Sequence, residues 1–344
     1  MKRFFLFLLL AAMLSACAPQ GPATLKVMTH DSFAISKEVV TAFEQANNVK
    51  LVFLPSGDSG AALNKAILSK NAPLADVFYG VDNTFLSRAL EADIFEAYSS
   101  SLLNVIPSAF KLDPQSRALP VDYGDVCLNY DRAWFETHGL PVPTSLQDLL
   151  QPEYKGLLVV ENPATSSPGL AFLLATIAEF GDPGYLDFWA KLRQNGVTVV
   201  DGWETAYYTN FSASSGRGPQ PLVVSYASSP AAEVIFADPP VAQPPTGSII
   251  GPGACFRQIE FVGILKGTRQ RALAEKFVDF MLDVQFQQDM PLQMFVYPVN
   301  PRAGLPDEFV RWAQVAEDPA GLDPALIAAN REKWIAAWTE TVLH

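Results

Sequence analysis

The residues best able to do chemistry in this chain lie where short apolar runs end. Six such exits follow one another: Thr29 to Phe33, Ser56 to Gly60, Gly80 to Asn83, Glu161 to Gly169, Asp201 to Tyr207 and Ser225 to Pro230. They carry Asp31, Asp58, Asp82, Glu161, Asp201 and Glu204 but no Lys or Arg. At the chain average of 24 basic residues in 344, roughly 2.5 would be expected over that length. A cleft lined in this way has no basic clamp for phosphate or carboxylate and suits a cationic ligand. Trp203 and Tyr226 add π-faces on which a flat cation can stack.

Each of these residues also has a purely structural reading. Asp31, Asp58 and Asp82 stand at strand-to-helix turns, where Asp caps helices about as often as it binds ligands. Ser166, Ser167 and Pro168 open a helix carrying Leu170, Phe172 and Leu173, so their hydroxyls and free amides either hold a phosphate or cap the helix. Trp203 lies in a polar setting between Gly202 and Glu204 or, alternatively, in a core. Gly57-Asp58-Ser59-Gly60 imitates the nucleophile turn of serine proteases, but a hydrolase needs a His base. Only His30 precedes that turn at a plausible place. With no CxxC pair and only His30, His138 and His344 available, a zinc site is not expected, and no cofactor is expected.

The elements that must position these residues follow from periodicity. Short apolar runs at Leu25 to Met28, Lys50 to Leu54, Val77 to Tyr79, Val126 to Tyr130, Leu157 to Val160, Val197 to Val200 and Leu222 to Val224 alternate with helical spacing. That alternation predicts βα units and mostly parallel sheets, in which ligands sit at the carboxyl ends of strands. Val39, Val40 and Phe43 mark one helix from about Ser36, and Leu63, Ala66 and Ile67 another. Asp182-Pro183 reads as a helix N-cap with Pro at the first helical position, and Asn195-Gly196 as a helix stop. Leu273, Phe277, Phe280, Met281 and Val284 recur on one helix face, and Asp323-Pro324 opens a last helix whose Trp334 and Trp338 read as core. A length of 344 residues suggests two globular units. The chain is expected to cross between them near Tyr123 to Val126 and to return near Cys255 to Glu260.

Composition narrows the partners. The 36 acidic residues outnumber the 24 basic ones, giving a formal charge of −12, so nucleic acid is not an expected partner. Lys2 and Arg3 precede an apolar run from Phe4 to Leu14, about 16 Å long as a helix and half of what a bilayer needs; this is a secretory signal segment. Leu14-Ser15-Ala16-Cys17 resembles the lipobox in which the cysteine becomes the lipidated N-terminus, so residues 1–17 read as signal peptide and 18–24 as a tether. Cys127 and Cys255 then reach an oxidising compartment, where they either pair or remain buried thiols.

Eight fragments in order carry a family resemblance: Thr29 to Phe33, Asp58, Gly80 to Asn83, Asp122 to Gly124, Thr165 to Leu170, Val197 to Tyr207, Ser225 to Pro230, and Tyr297 to Val299. Over nearly all of the mature chain, the set resembles the thiamine-binding periplasmic components of bacterial thiamine ABC transporters. The resemblance implies an α/β fold of two lobes, each a mostly parallel sheet flanked by helices, with the ligand in the cleft between them. Lobe 1 would comprise 25–124 and 256–344, and lobe 2 would comprise 125–255. Thiamine or its phosphates would be the ligand and a transmembrane permease the partner, with a lipid anchor to the membrane at Cys17. The family's binding positions fall on Asp58, Ser59, Ser166, Ser167, Trp203 and the loop Tyr226, Ala227, Ser228, Ser229. His30 stands where family members carry Tyr, and Phe295 where they carry Trp, which leaves the size of the pocket open. Related two-lobed proteins bind ferric ion through adjacent tyrosines, and Tyr207-Tyr208 with His30 and Asp58 raises that alternative. Neighbouring residues on a helix diverge by about 100°, which argues against their convergence on one metal.

Overall fold

The computed structural model describes residues 21–214 and 217–344. The signal segment and Cys17 lie outside them. Among the described residues eleven strands run in chain order: β1 Ala23–Thr29, β2 Val49–Pro55, β3 Val77–Asp82, β4 Phe95–Glu96, β5 Leu119–Asp131, β6 Leu158–Glu161, β7 Thr198–Val200, β8 Leu222–Tyr226, β9 Thr246–Ile249, β10 Phe256–Leu265 and β11 Tyr297–Pro298. Their order across the sheet is β2-β1-β3-β10-β5-β8-β6-β7, with β4 on β10 and β9 and β11 on β5. Ala23 and Thr24, expected in the tether, already pair with Val49 and Lys50 in β1.

Both ends of this sheet are parallel, as the βα alternation predicts. β1 pairs in parallel with β2 and β3, and β6 with β7 and β8. The crossover helices explain it, because a parallel neighbour cannot be reached by a tight turn. In the helix Lys37–Asn47, Ser36 caps the start by accepting a bond from the Val39 amide, Val39 and Phe43 are buried four residues apart, and left-handed Asn48 ends it.

The middle of the sheet is antiparallel and belongs to two long strands. β5 spans 13 residues and β10 spans 10. Leu119 to Val126 of β5 pair with β10, while Val126 to Tyr130 pair with β8, so one strand serves both halves. The register of β10 shifts after Glu260 against β5 and after Phe261 against β3. Beside this crossing Cys127 and Cys255 form a disulfide across a sequence separation of 128, which settles the alternative left open by the sequence.

One apolar cluster covers one face of the first half, with Leu25, Val27, Phe43, Val77, Phe277 and Met281. A second begins on the opposite face at Ala62, Leu63 and Phe78 and continues into the second half through Phe172 and Trp189 to Trp338. The last helix, Pro324–Leu343, therefore departs from the expected assignment of 256–344 to lobe 1. Its Trp338 packs edge-on to Trp189 at 5.4 Å, while its buried Arg331 donates to Ser87 Oγ at 2.7 Å. Burying indoles on the second half and a guanidinium on the first makes this helix a strap across both. Asp182 does not cap the helix Gly184–Gln194, which has no side-chain cap. Its carboxylate accepts from Trp334 Nε1 and Lys333 Nζ instead. Asn195 and Gly196 do end that helix, and Asp323 caps the last one through the Ala325 amide.

Closing a loop of this length should make the disulfide worth about 2–5 kcal/mol. The Cys127→Ser/Cys255→Ser double variant should unfold at clearly lower urea than the oxidised wild type; equal midpoints would show that the bridge adds nothing to stability.

Candidate ligand-binding cleft

The turn after β2 sets the first wall of the cleft. Gly57, at φ +98°, lets the chain reverse so that its amide donates to Asp31 Oδ1 at 2.8 Å, tying the β1 and β2 exits together. Asp58 then opens the helix Ser59–Leu68, its Oδ1 accepting from the Ser59 amide at 2.6 Å. The same carboxylate reaches across the cleft. Oδ2 accepts from the Trp203 amide at 3.0 Å, and Oδ1 faces the Ser167 amide at 3.4 Å. Asp58 is thus both helix cap and interlobe contact, and capping its helix does not withdraw its carboxylate from the cavity wall.

Close approach on the opposite side requires a missing side chain. A Cβ on Gly60 would meet the Thr165 carbonyl at 2.9 Å, and the neighbouring Ala61 amide donates to that carbonyl at 3.2 Å.

A cavity of about 630 Å³ opens here, lined by His30, Asp58, Ser59, Trp203, Tyr226, Ser229 and Phe295 among the residues singled out from sequence. Four others do not line it. Ser166 caps the helix Ser167–Phe180. The hydroxyl of Ser167 bonds Asp82 and accepts from Gln258 Nε2. Ala227 is buried with Cys127 and Cys255. Ser228 donates to the Phe295 carbonyl, which helps hold Phe295 in a left-handed conformation at φ 55°.

The aromatic wall follows from the turn at Gly202. Trp203 begins one helical turn, and a π-helical turn, Ala206–Asn210, continues it. Trp203 stacks on Tyr207 at 5.0 Å, lies edge-on to Tyr226 at 6.5 Å, and fixes its indole by donating Nε1 to Ser225 Oγ at 2.9 Å. Tyr207 is buried and donates to Glu233 Oε1 at 2.8 Å, whereas the exposed Tyr208 stands nearly perpendicular to it, at 87°. The two rings are thus set edge to face. Among the described residues, no group of three or more His, Cys, Asp and Glu could hold a metal ion. The hydrolase alternative also lacks its geometry, because His30 Nε2 lies 3.4 Å from Glu260 Oε1, whereas catalysis would place that nitrogen on the Ser59 hydroxyl.

The lining also contains Tyr208, weighed above only as a metal ligand, and residues the sequence reading missed: Glu233, Phe236, Met294 and Glu260. Only Glu260 left a clear signal, an acid inside the otherwise apolar run Ile259 to Leu265. Among the described residues, no Lys or Arg lines the cavity. Behind it, burial pushes Asp82 up to about 7 against the bonds it accepts from Thr84 and Phe85, and burial together with the Asp58 charge raises Glu161 well above the ordinary carboxylate range. Tyr226 donates to Gln258 Oε1 at 2.8 Å, and burial, then the nearby acids, keeps its phenol neutral well above the ordinary value.

The bacterial extracellular solute-binding protein family matches residues 72–316. The thiamine-binding periplasmic protein of Salmonella typhimurium is 31% identical, covering 99% of both chains. A solved periplasmic thiamin binding protein superposes with a TM-score of 0.83 and 28% identity, over 95% of this chain and 99% of its own. A ferric binding protein from Campylobacter jejuni shares the fold at a TM-score of 0.73 but only 17% identity, over 92% of this chain and 99% of its own. The two-lobed mixed α/β fold and full-length identity to a binding protein together place the chain in the bacterial extracellular solute-binding protein family.

Proposed function

We propose that the chain captures thiamine in this cleft and delivers it to the permease of an ABC transporter, without catalysing a reaction. The observation that carries the reading is a cavity with aromatic walls and carboxylates and, among the described residues, no Lys or Arg. Thiamine presents a permanent thiazolium charge and a flat aminopyrimidine, which are the two features such a wall recognises. The relatives named above support the same ligand. Phosphate esters would have to rely on amides and hydroxyls, with Ser59 and Ser229 at hand in the lining.

We further propose that the protein is exported and held at the membrane through lipidated Cys17. Among the described residues, no helix is long and apolar enough to cross a membrane, so tethering would rest on the N-terminus. Cys17→Ser should release or mislocalise the protein, and mass spectrometry should find lipid on the wild type alone. Identical lipid-free masses would contradict the anchor.

Charge and stacking can be separated. A charged hydrogen bond in a desolvated site is worth ~1.5–3 kcal/mol, or roughly ten-fold to a hundred-fold in affinity. Asp58→Asn should weaken thiamine by that factor, and a neutral analogue with an uncharged ring in place of thiazolium far less. Trp203→Ala should weaken both ligands, since lost apolar area and stacking do not depend wholly on charge. Calorimetric titration checks both. Binding of thiamine to folded Asp58→Asn within two-fold of wild type would reduce Asp58 to a helix cap.

A further inference from the structure

Beyond Asp58, the cleft holds a second carboxyl device. Glu260 lines the cavity and lies directly opposite Asp122 in the β5/β10 pair. The register of β10 shifts immediately after it, and an irregularity of this kind re-aims a side chain next to a site. The two carboxyls are almost completely buried, with Asp122 at 0% exposure and Glu260 at 6%. The Tyr79 hydroxyl lies 2.6 Å from Asp122 Oδ2 and 3.0 Å from Glu260 Oε2. Its single proton can serve only one of them at a time. Two further buried atoms have no hydrogen-bond partner: Asp122 Oδ1, and His30 Nε2 beside Glu260.

The groups facing Glu260 are Asp122 from β5, Tyr79 and Asp82 from β3, His30 from the β1 exit, Asp58 from the next helix start, and Tyr226 from β8. None supplies a fixed positive charge. Burial holds the His30 imidazole below its ordinary value although Asp58, Asp31 and Glu204 pull the other way. Burial pushes Glu260 up to about 7, and burial with the Glu260 charge raises Asp122 well above the ordinary carboxylate range. Two carboxyls in contact without a counter-ion do not both ionise, and their protons belong to the pair rather than to either residue.

We propose that Asp122 and Glu260 share one proton in the empty cleft, and that Glu260, the member at the cavity wall, gives it up when a cationic ligand arrives, so that this pair selects for positive charge. The inference rests on the cationic ligand proposed above. In the step, the O–H bond of the shared carboxyl breaks, the proton passes to buffer, and the ligand's fixed charge replaces it as counter-charge; no electrons transfer. His30 does not keep the proton, because an imidazolium beside the bound cation would repel it. Affinity for a cation therefore falls as pH drops below about 7, by up to roughly ten-fold per unit, whereas affinity for a neutral analogue is flat.

Calorimetry of the full chain with thiamine in two buffers of different ionisation enthalpy counts the protons. The wild type should release close to one proton per thiamine between pH 6 and 7. Glu260→Gln should release clearly less proton than the wild type on binding thiamine and lose most of the change in affinity between pH 6 and 8. If that variant does not fold, the wild type with the neutral analogue decides, since it should release no proton. Equal wild-type enthalpies in both buffers, undiminished release by Glu260→Gln, or equal release with the neutral analogue would overturn the proposal while leaving thiamine capture standing. Complete absence of thiamine binding would overturn the functional reading, and this inference with it.

Discussion

A single carboxylate joins the walls of the cleft. Asp58 accepts from the first amide of its own helix, from Trp203 across the gap, and faces the Ser167 amide at the start of a third helix. Backbone amides at helix starts carry partial positive charge with no partner inside their own helix, so a carboxylate between them brings the two halves together at a defined distance. The exits of β1 and β2 are bound to each other to present it, and Gly60 and Gly202 lack side chains where it sits closest to the opposite wall. Moving Asp58 would unmake the cap, the contact between the halves and the charge at the cavity mouth together.

What lies behind Asp58 gives the cleft its chemical bias. Asp82, Asp122, Glu161 and Glu260 are buried and, among the described residues, no Lys or Arg pairs with them. In a low-dielectric setting such a cluster tolerates little net charge until a cation enters. The same fold accommodates a ferric binding protein, so architecture alone does not choose the ligand. Side chains give this cleft its character: a stacked indole, tyrosines set edge to face, and carboxyls.

Much of this was legible in the sequence because it is local. Strand exits, the Asp58 turn, the Ser36 and Asp323 caps and the Asn195-Gly196 stop depend on a few adjacent residues, and each stands where the pattern puts it. What the sequence hid depends on distant partners. The pairing of β5 with β10 joins residues more than a hundred positions apart, so neither the antiparallel centre nor the meeting of Cys127 with Cys255 has a local signature. Asp182 has the local form of a cap, but Trp334 and Lys333 from the last helix claim its carboxylate. Ser166, Ser167, Ala227 and Ser228 sit beside cavity-lining positions in sequence yet face the core, since neighbouring residues at a helix start point different ways. Glu260 was visible as an acid in an apolar strand, but only its opposite number, Asp122, reveals a pair.

The most direct test is mass spectrometry of the small molecule released by denaturing protein freshly purified from thiamine-fed cells. Thiamine or one of its phosphate esters should appear in near-stoichiometric amount, and protein stripped of it should rebind added thiamine. Release of a different molecule, or an empty protein that fails to bind added thiamine, would contradict a cleft built for this cation.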